Sequence, residues 1–87
     1  MSDEIKKMLG TNRIIIGTDR TLKHIRNGSV EKVFLSDNCP KALKEDIKQY
    51  STQGTFTVVE LSVPNEELGV LCKKPFPVSV VSILKHK

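Results

Sequence analysis

Two hydrophobic periods alternate along this chain, and their order predicts its elements. Ile5, Met8 and Leu9 fall at i, i+3 and i+4, which predicts a short amphipathic helix stopped at Gly10. Residues 13–16 then read as a buried strand, because three successive isoleucines leave no polar face. After Gly17, Thr18 suits the N-cap of a second helix. Leu22 and Ile25 give that helix its apolar face, and Asn27-Gly28 closes it with the pair best able to turn left-handed. A second strand is predicted over 32–35, followed by a loop over 36–40, Ser-Asp-Asn-Cys-Pro.

Leu43, Ile47 and Tyr50 mark one face of a third helix ending near Gly54, with Lys41, Lys44, Glu45 and Lys48 on its opposite side. The β-branched run 55–61 predicts a third strand. A short helix then opens at 64–68 with Glu66 and Glu67 in its first turn, where the helix dipole favours acids. The last strand is predicted over 79–84. Helices between successive strands predict an α/β fold, a single sheet covered on both faces. With 87 residues the expectation is one domain over 1–87 with one modest core.

Charge adds a direction. Fourteen Lys and Arg against ten Asp and Glu give a formal charge of +4 and a pI near 9.2, an excess that suits an RNA, DNA or acidic-lipid partner. The apolar runs fall far short of the ~20 residues a membrane helix needs, so no membrane partner is expected. Cys39 and Cys72 are far apart and lack the close paired spacing of a zinc site, and the acidic N-terminus has no apolar signal core. A reducing, cytoplasmic setting is therefore expected.

The stretch Arg13 to Lys23 carries the most chemistry. An apolar strand runs through Gly17 into a polar, basic helix start, a junction that presents backbone N–H groups and cations to phosphate. Gly17 lets a backbone approach closely, Thr18 can cap or touch phosphate, and Lys23 sits one turn in. Catalysis has less to work with. Cys39, Cys72, His24 and His86 are not spaced as a nucleophile-base pair or metal site, so neither an enzyme nor a cofactor is expected. Cys39, beside Pro40 at a helix start, is the one thiol whose pKa the dipole could lower.

Successive blocks carry a resemblance: Ile14-Ile15-Ile16-Gly17-Thr18-Asp19-Arg20-Thr21-Leu22-Lys23, Asn27-Gly28, Ser36-Asp37-Asn38-Cys39-Pro40, the run 43–50, Glu67-Leu68-Gly69 and Val80-Val81-Ser82-Ile83-Leu84. In this order they resemble the ribosomal L-thirty-e family, within the wider L-seven-Ae superfamily, over nearly the whole chain. That resemblance implies a three-layer α/β/α sandwich with a four-stranded mixed sheet that binds kink-turns or related purine-rich internal loops in RNA. It places the family's RNA-facing glycine and helix start on Gly17, Thr18, Asp19 and Arg20, with the basic position on Lys23. The L-seven-Ae pattern has Asn and Glu where Asp19 and Arg20 stand; Asp19 can accept from a guanine edge, and Arg20 can fork onto phosphate or guanine O6 and N7.

The resemblance also implies a second surface, the loop holding Pro75, Phe76, Pro77 and Val78, where Phe76 offers a platform for an exposed base with Lys73 and Lys74 beside it. The opposing reading makes Phe76 a core plug. Asn38 is matched to a third family loop; it can read a base edge or serve local turn hydrogen bonds. The expected function is a large-subunit ribosomal protein that stabilises a bent internal loop of ribosomal RNA, with neighbouring ribosomal or ribonucleoprotein subunits as further partners. The alternatives are a kink-turn protein of a guide-RNA or ribonuclease P particle and a protein-interaction module. The last of these predicts a large exposed apolar patch away from Gly17.

Overall fold

The computed structural model describes residues 2–11, 13–54 and 56–85. The elements are α1 (Ser2–Met8), β1 (Ile14–Ile16), α2 (Thr18–Arg26), β2 (Val30–Leu35), α3 (Lys41–Gln53), β3 (Thr57–Glu60), α4 (Asn65–Leu71) and β4 (Val80–Leu84). Every expected element is present in the expected order, with ends displaced by at most three residues; β1, expected to be buried, is half-buried at Ile14 and Ile16. The expected strand start at Thr55 lies outside the described residues.

The four strands form one mixed sheet in the order β1-β4-β2-β3. β2 and β3 run parallel, Val33 opposite Val58, which the crossover helix α3 permits. The last strand, β4, inserts antiparallel between β1 and β2, pairing Ile15 with Ser82 on one side and Phe34 with Val81 on the other. The β2–β4 register shifts between Val30 and Lys32, leaving Glu31 as a bulge residue. Its carboxylate meets Arg13 at 3.2 Å, and the Arg13 Nε donates to Leu84 O, so this cation is tied to the fold.

Strand alternation divides the interior into two apolar layers. Phe34, Val81 and Ile83 pack with Ile5, Leu61, Leu68 and Cys72, the layer formed with α1 and α4. Val33, Leu35 and Val80 pack with Ile25, Cys39, Ile47 and Phe56, the layer formed with α2 and α3. The result is the three-layer α/β/α sandwich. On the β3 side, Lys44 and Lys48 both reach Glu60, at 3.2 and 3.1 Å, and their hydrogen bonds hold its carboxyl below the ordinary value. Any stability gained there is present above the ordinary carboxylate range and lost as pH falls through the lowered value.

One core contact has no apolar signature. Thr21, in the first turns of α2, is fully buried, and its Oγ1 lies 3.1 Å from Oγ of the equally buried Ser82 on β4. The apolar face read from Leu22 and Ile25 packs on the core, Ile25 buried and Leu22 half-buried, and Thr21 joins it. Thr21→Val should strand the Ser82 hydroxyl and lower unfolding free energy by ~1–3 kcal/mol, while the double variant Thr21→Val, Ser82→Ala should recover much of that loss. Denaturant unfolding of the cycle measures it.

Candidate nucleic-acid interface

Gly17 is the hinge between β1 and α2. Its N–H donates to Val80 O at 3.0 Å, closing the last rung with β4, and its carbonyl accepts Thr21 N–H at 3.2 Å, starting the helix. Gly17 is therefore the N-cap, which corrects the assignment to Thr18; the cap makes no side-chain hydrogen bond. Its φ of 117° with ψ of 153° lies in a region open essentially to glycine alone. A Cβ would meet nothing within 4 Å, so the demand is purely conformational and the space above the hinge is open. The N–H groups of Thr18, Asp19 and Arg20 belong to the first turn, where no intrahelical acceptor reaches them. Asp19, Arg20 and Lys23 are exposed and Thr18 is half-buried.

Beside this hinge, Ser36 N–H donates to Ser79 O at 3.0 Å and Asp37 N–H to Val63 O at 2.8 Å. The 36–40 loop is thus stitched to both the start of β4 and the connection leading to α4. Asn38, a proposed base-reading residue, is committed largely to that stitching. Its Oδ1 accepts from Ser36 Oγ at 3.1 Å and from Asn65 N–H at 2.8 Å, and its Nδ2 donates to Asn65 Oδ1 at 3.1 Å. The local-bond reading of Asn38 holds, extended to a partner 27 residues away. Nothing about an Asn after a proline marks Asn65 in the sequence as a long-range clasp.

The connection from α4 to β4 is built just as tightly. Lys73 N–H bonds Val70 O and Lys74 N–H bonds Gly69 O, a paired closure of the helix end with Lys73 left-handed at φ 58°. α2 ends with the same pattern, but there the left-handed residue is Gly28. Gly69 has its own reason: a methyl on it would overlap the Phe76 carbonyl oxygen. Phe76 is 53% exposed, which removes the core-plug reading, and Pro75 and Pro77 are exposed on either side. Val78 is corrected: it is 3% exposed, packs with the α1 and α4 layer, and gives its N–H to Asn65 O. It anchors the loop and faces no ligand.

These bonds bring the separated motifs together. Phe76 is four residues from Val80, at most ~14 Å of chain, and Val80 is bonded to Gly17, so the loop and the hinge occupy one end of the sandwich. Phe76 and Arg20 line a common open groove of about 910 Å³. Exposed Lys23 lies on the same helix as Arg20, one turn on. The site thus combines a helix start without a side-chain cap, cations and an exposed aromatic ring.

Cys39 and Cys72 are both buried, and desolvation raises both thiol pKa values, so burial outweighs any lowering of the Cys39 pKa by the helix start. Among the described residues no three His, Cys, Asp or Glu side chains gather as metal ligands, and no helix is long and apolar enough to cross a membrane.

The close fit of Gly69 to Phe76 makes a test of loop placement. Gly69→Ala should destabilise by ~1–3 kcal/mol as the loop is pushed off α4, and the Phe76 ring resonances should shift. Gly10→Ala, where a Cβ meets nothing within 4 Å, is the control and should leave them in place.

Comparison with known proteins agrees with this architecture. The chain is 38% identical over 82 residues to the large ribosomal subunit protein eL30 of Archaeoglobus fulgidus, covering 94% of this chain and 91% of that one. It is 36% identical over 80 residues to the protein of the same name from Methanocaldococcus jannaschii, covering 92% and 73%. A Giardia lamblia 15.5kD RNA binding protein superposes with a TM-score of 0.83 at 20% identity, over 99% of this chain and 72% of that one, which shows a shared fold. A family model matches residues 1–87 in full, and the chain belongs to the ribosomal protein L7Ae/L30e/S12e/Gadd45 family.

Proposed function

We propose that this protein binds ribosomal RNA in the large ribosomal subunit and stabilises a kink-turn or a related bent, purine-rich internal loop. The observation that carries the reading is the joining of the Gly17 hinge and the Phe76 loop at one end of the sheet through the Gly17–Val80 bond. A bent internal loop presents crowded phosphates and unstacked bases side by side. The start of α2 offers free N–H groups and the Arg20 and Lys23 cations to the former, and Phe76 offers a stacking face to the latter. Curated relatives named as large-subunit proteins, and a structural neighbour named as RNA binding, support this choice of partner.

In this reading the protein acts as a rigid wedge and performs no catalysis. Gly17, Thr18 and Lys23 meet the RNA backbone, Arg20 meets phosphate or a guanine edge, and Asp19 accepts from a base amino or imino group where donors shield it from phosphate. Pro75 and Pro77 limit the freedom of the Phe76 loop, reducing the entropy lost on docking. Asn38 and Val78 hold these groups in place from behind. The protein-interaction alternative called for an apolar patch away from Gly17. Instead Val70 and Phe76, the large hydrophobics that stand exposed among the described residues, line the groove shared with Arg20.

Binding should weaken with salt at a slope of log K against log salt of about −3 to −5, corresponding to four to six phosphates. Lys23→Ala should weaken all RNAs by a similar factor and reduce the magnitude of that slope by about one. Phe76→Ala should lose ~1–3 kcal/mol of affinity mainly on RNAs with an exposed base, with near-unchanged thermal stability. Affinity unaffected by either variant, measured by titration with a kink-turn RNA and a fully paired control, contradicts the proposed contacts.

A further inference from the structure

The groove beside the RNA-facing end is larger than one base needs, and its chemistry differs from that end. Its floor is aliphatic, formed by Leu9, Ile14, Ile16 and Leu71, and its rim carries Lys6, Arg20, Lys73 and Lys74, with no carboxylate lining it among the described residues. None of the four cations is held in an ion pair among the described residues. Val70, 73% exposed, stands at the same rim.

Along the groove runs the open edge of the sheet. β1 is the edge strand, and Arg13 O and Gly17 N–H both bond β4. Strand alternation therefore turns the N–H and C=O groups of Ile14 and Ile16 away from β4, to the outside. Such a row of donors and acceptors is a template for a further strand. A polypeptide backbone supplies the matching acceptor and donor at the same two-residue repeat, whereas a phosphodiester backbone supplies acceptors only.

Lys73 adds an independent observation. It occupies a left-handed position at φ 58° where α2 places glycine, and the left-handed conformation carries a penalty for any side chain. There its side chain joins the groove rim.

We propose that this groove docks an extended acidic segment of a partner protein, which adds as a strand to the β1 edge. Its backbone pairs with Ile14 and Ile16, alternate apolar side chains settle on the floor against Leu9 and Leu71 with Val70 at the rim, and its carboxylates meet Lys6 and Lys73. The surface adjoins the RNA-facing end at Arg20 and Phe76, so such a partner would sit beside bound RNA.

The test is amide NMR of the full chain titrated with a blocked heptapeptide of alternating glutamate and valine, with hexauridylate and a kink-turn RNA as parallel probes. The peptide should shift the Ile14 and Ile16 amides and slow their hydrogen exchange, and the same peptide N-methylated at alternate residues should do neither. Lys6→Glu and Val70→Asp, both at exposed positions outside the proposed RNA contacts, should each weaken the peptide at least about tenfold and leave kink-turn affinity within about threefold. Absence of shifts at Ile14 and Ile16, insensitivity to N-methylation, or occupation of the groove by hexauridylate in preference to the peptide overturns the proposal. The kink-turn titration reads the RNA function separately, so either reading can fail while the other stands.

Discussion

Val80 O accepts the Gly17 N–H on one side of β4 while the preceding Ser79 O accepts the Ser36 N–H on the other, both at 3.0 Å. These bonds follow from inserting the last strand antiparallel into the middle of the sheet. Because β4 starts where β1 and β2 end, the turn into α2, the 36–40 loop and the 73–79 connection must emerge at the same end. Three segments remote in sequence are fixed to one another by backbone geometry before any side chain contributes. The Asn38–Asn65 clasp, the Val78 anchor and the fit of Phe76 O over Gly69 then limit the play of the loops.

A surface held this rigidly suits a partner that is itself strained. Bending an RNA internal loop has a free-energy cost, and a protein can offset it only if its own groups are already in place. The buried Thr21–Ser82 hydroxyl pair serves the same end, since it fixes α2 against β4 within one turn of the helix start that would meet phosphate. The adjoining groove has a different character, an aliphatic floor and an open strand edge, and two neighbouring surfaces of unlike chemistry suit a protein that meets RNA and protein together.

Much of this was legible in sequence because it is periodic or local. The isoleucine run, the i, i+3, i+4 spacings and the Asn27-Gly28 helix end each report a backbone conformation within a few residues, and the elements lie where they pointed. Gly17 was legible as a hinge, although its φ of 117° moved the cap off Thr18. What could not be read was pairing across the chain. Thr21 looks like a surface helix residue until Ser82 arrives 61 positions later to satisfy its hydroxyl. The hydrogen-bond partner of Asn38 lies 27 positions away in Asn65, and Val78 stands in sequence among exposed neighbours although its anchoring bond to Asn65 O turns it inward. The open edge of β1 likewise depends on a strand order that no local pattern encodes.

In the proposed function, the end defined by Gly17 and Phe76 meets a bent internal loop of large-subunit ribosomal RNA. Ultraviolet crosslinking of the protein in the cells that make it, with sequencing of the attached RNA and mapping of the attached peptide, addresses partner and surface together. Crosslinks are expected from the peptides holding Phe76 and the start of α2 to an internal loop of large-subunit ribosomal RNA. Crosslinks falling mainly on guide or ribonuclease P RNA, or on the outer face of α3, would contradict the proposed function.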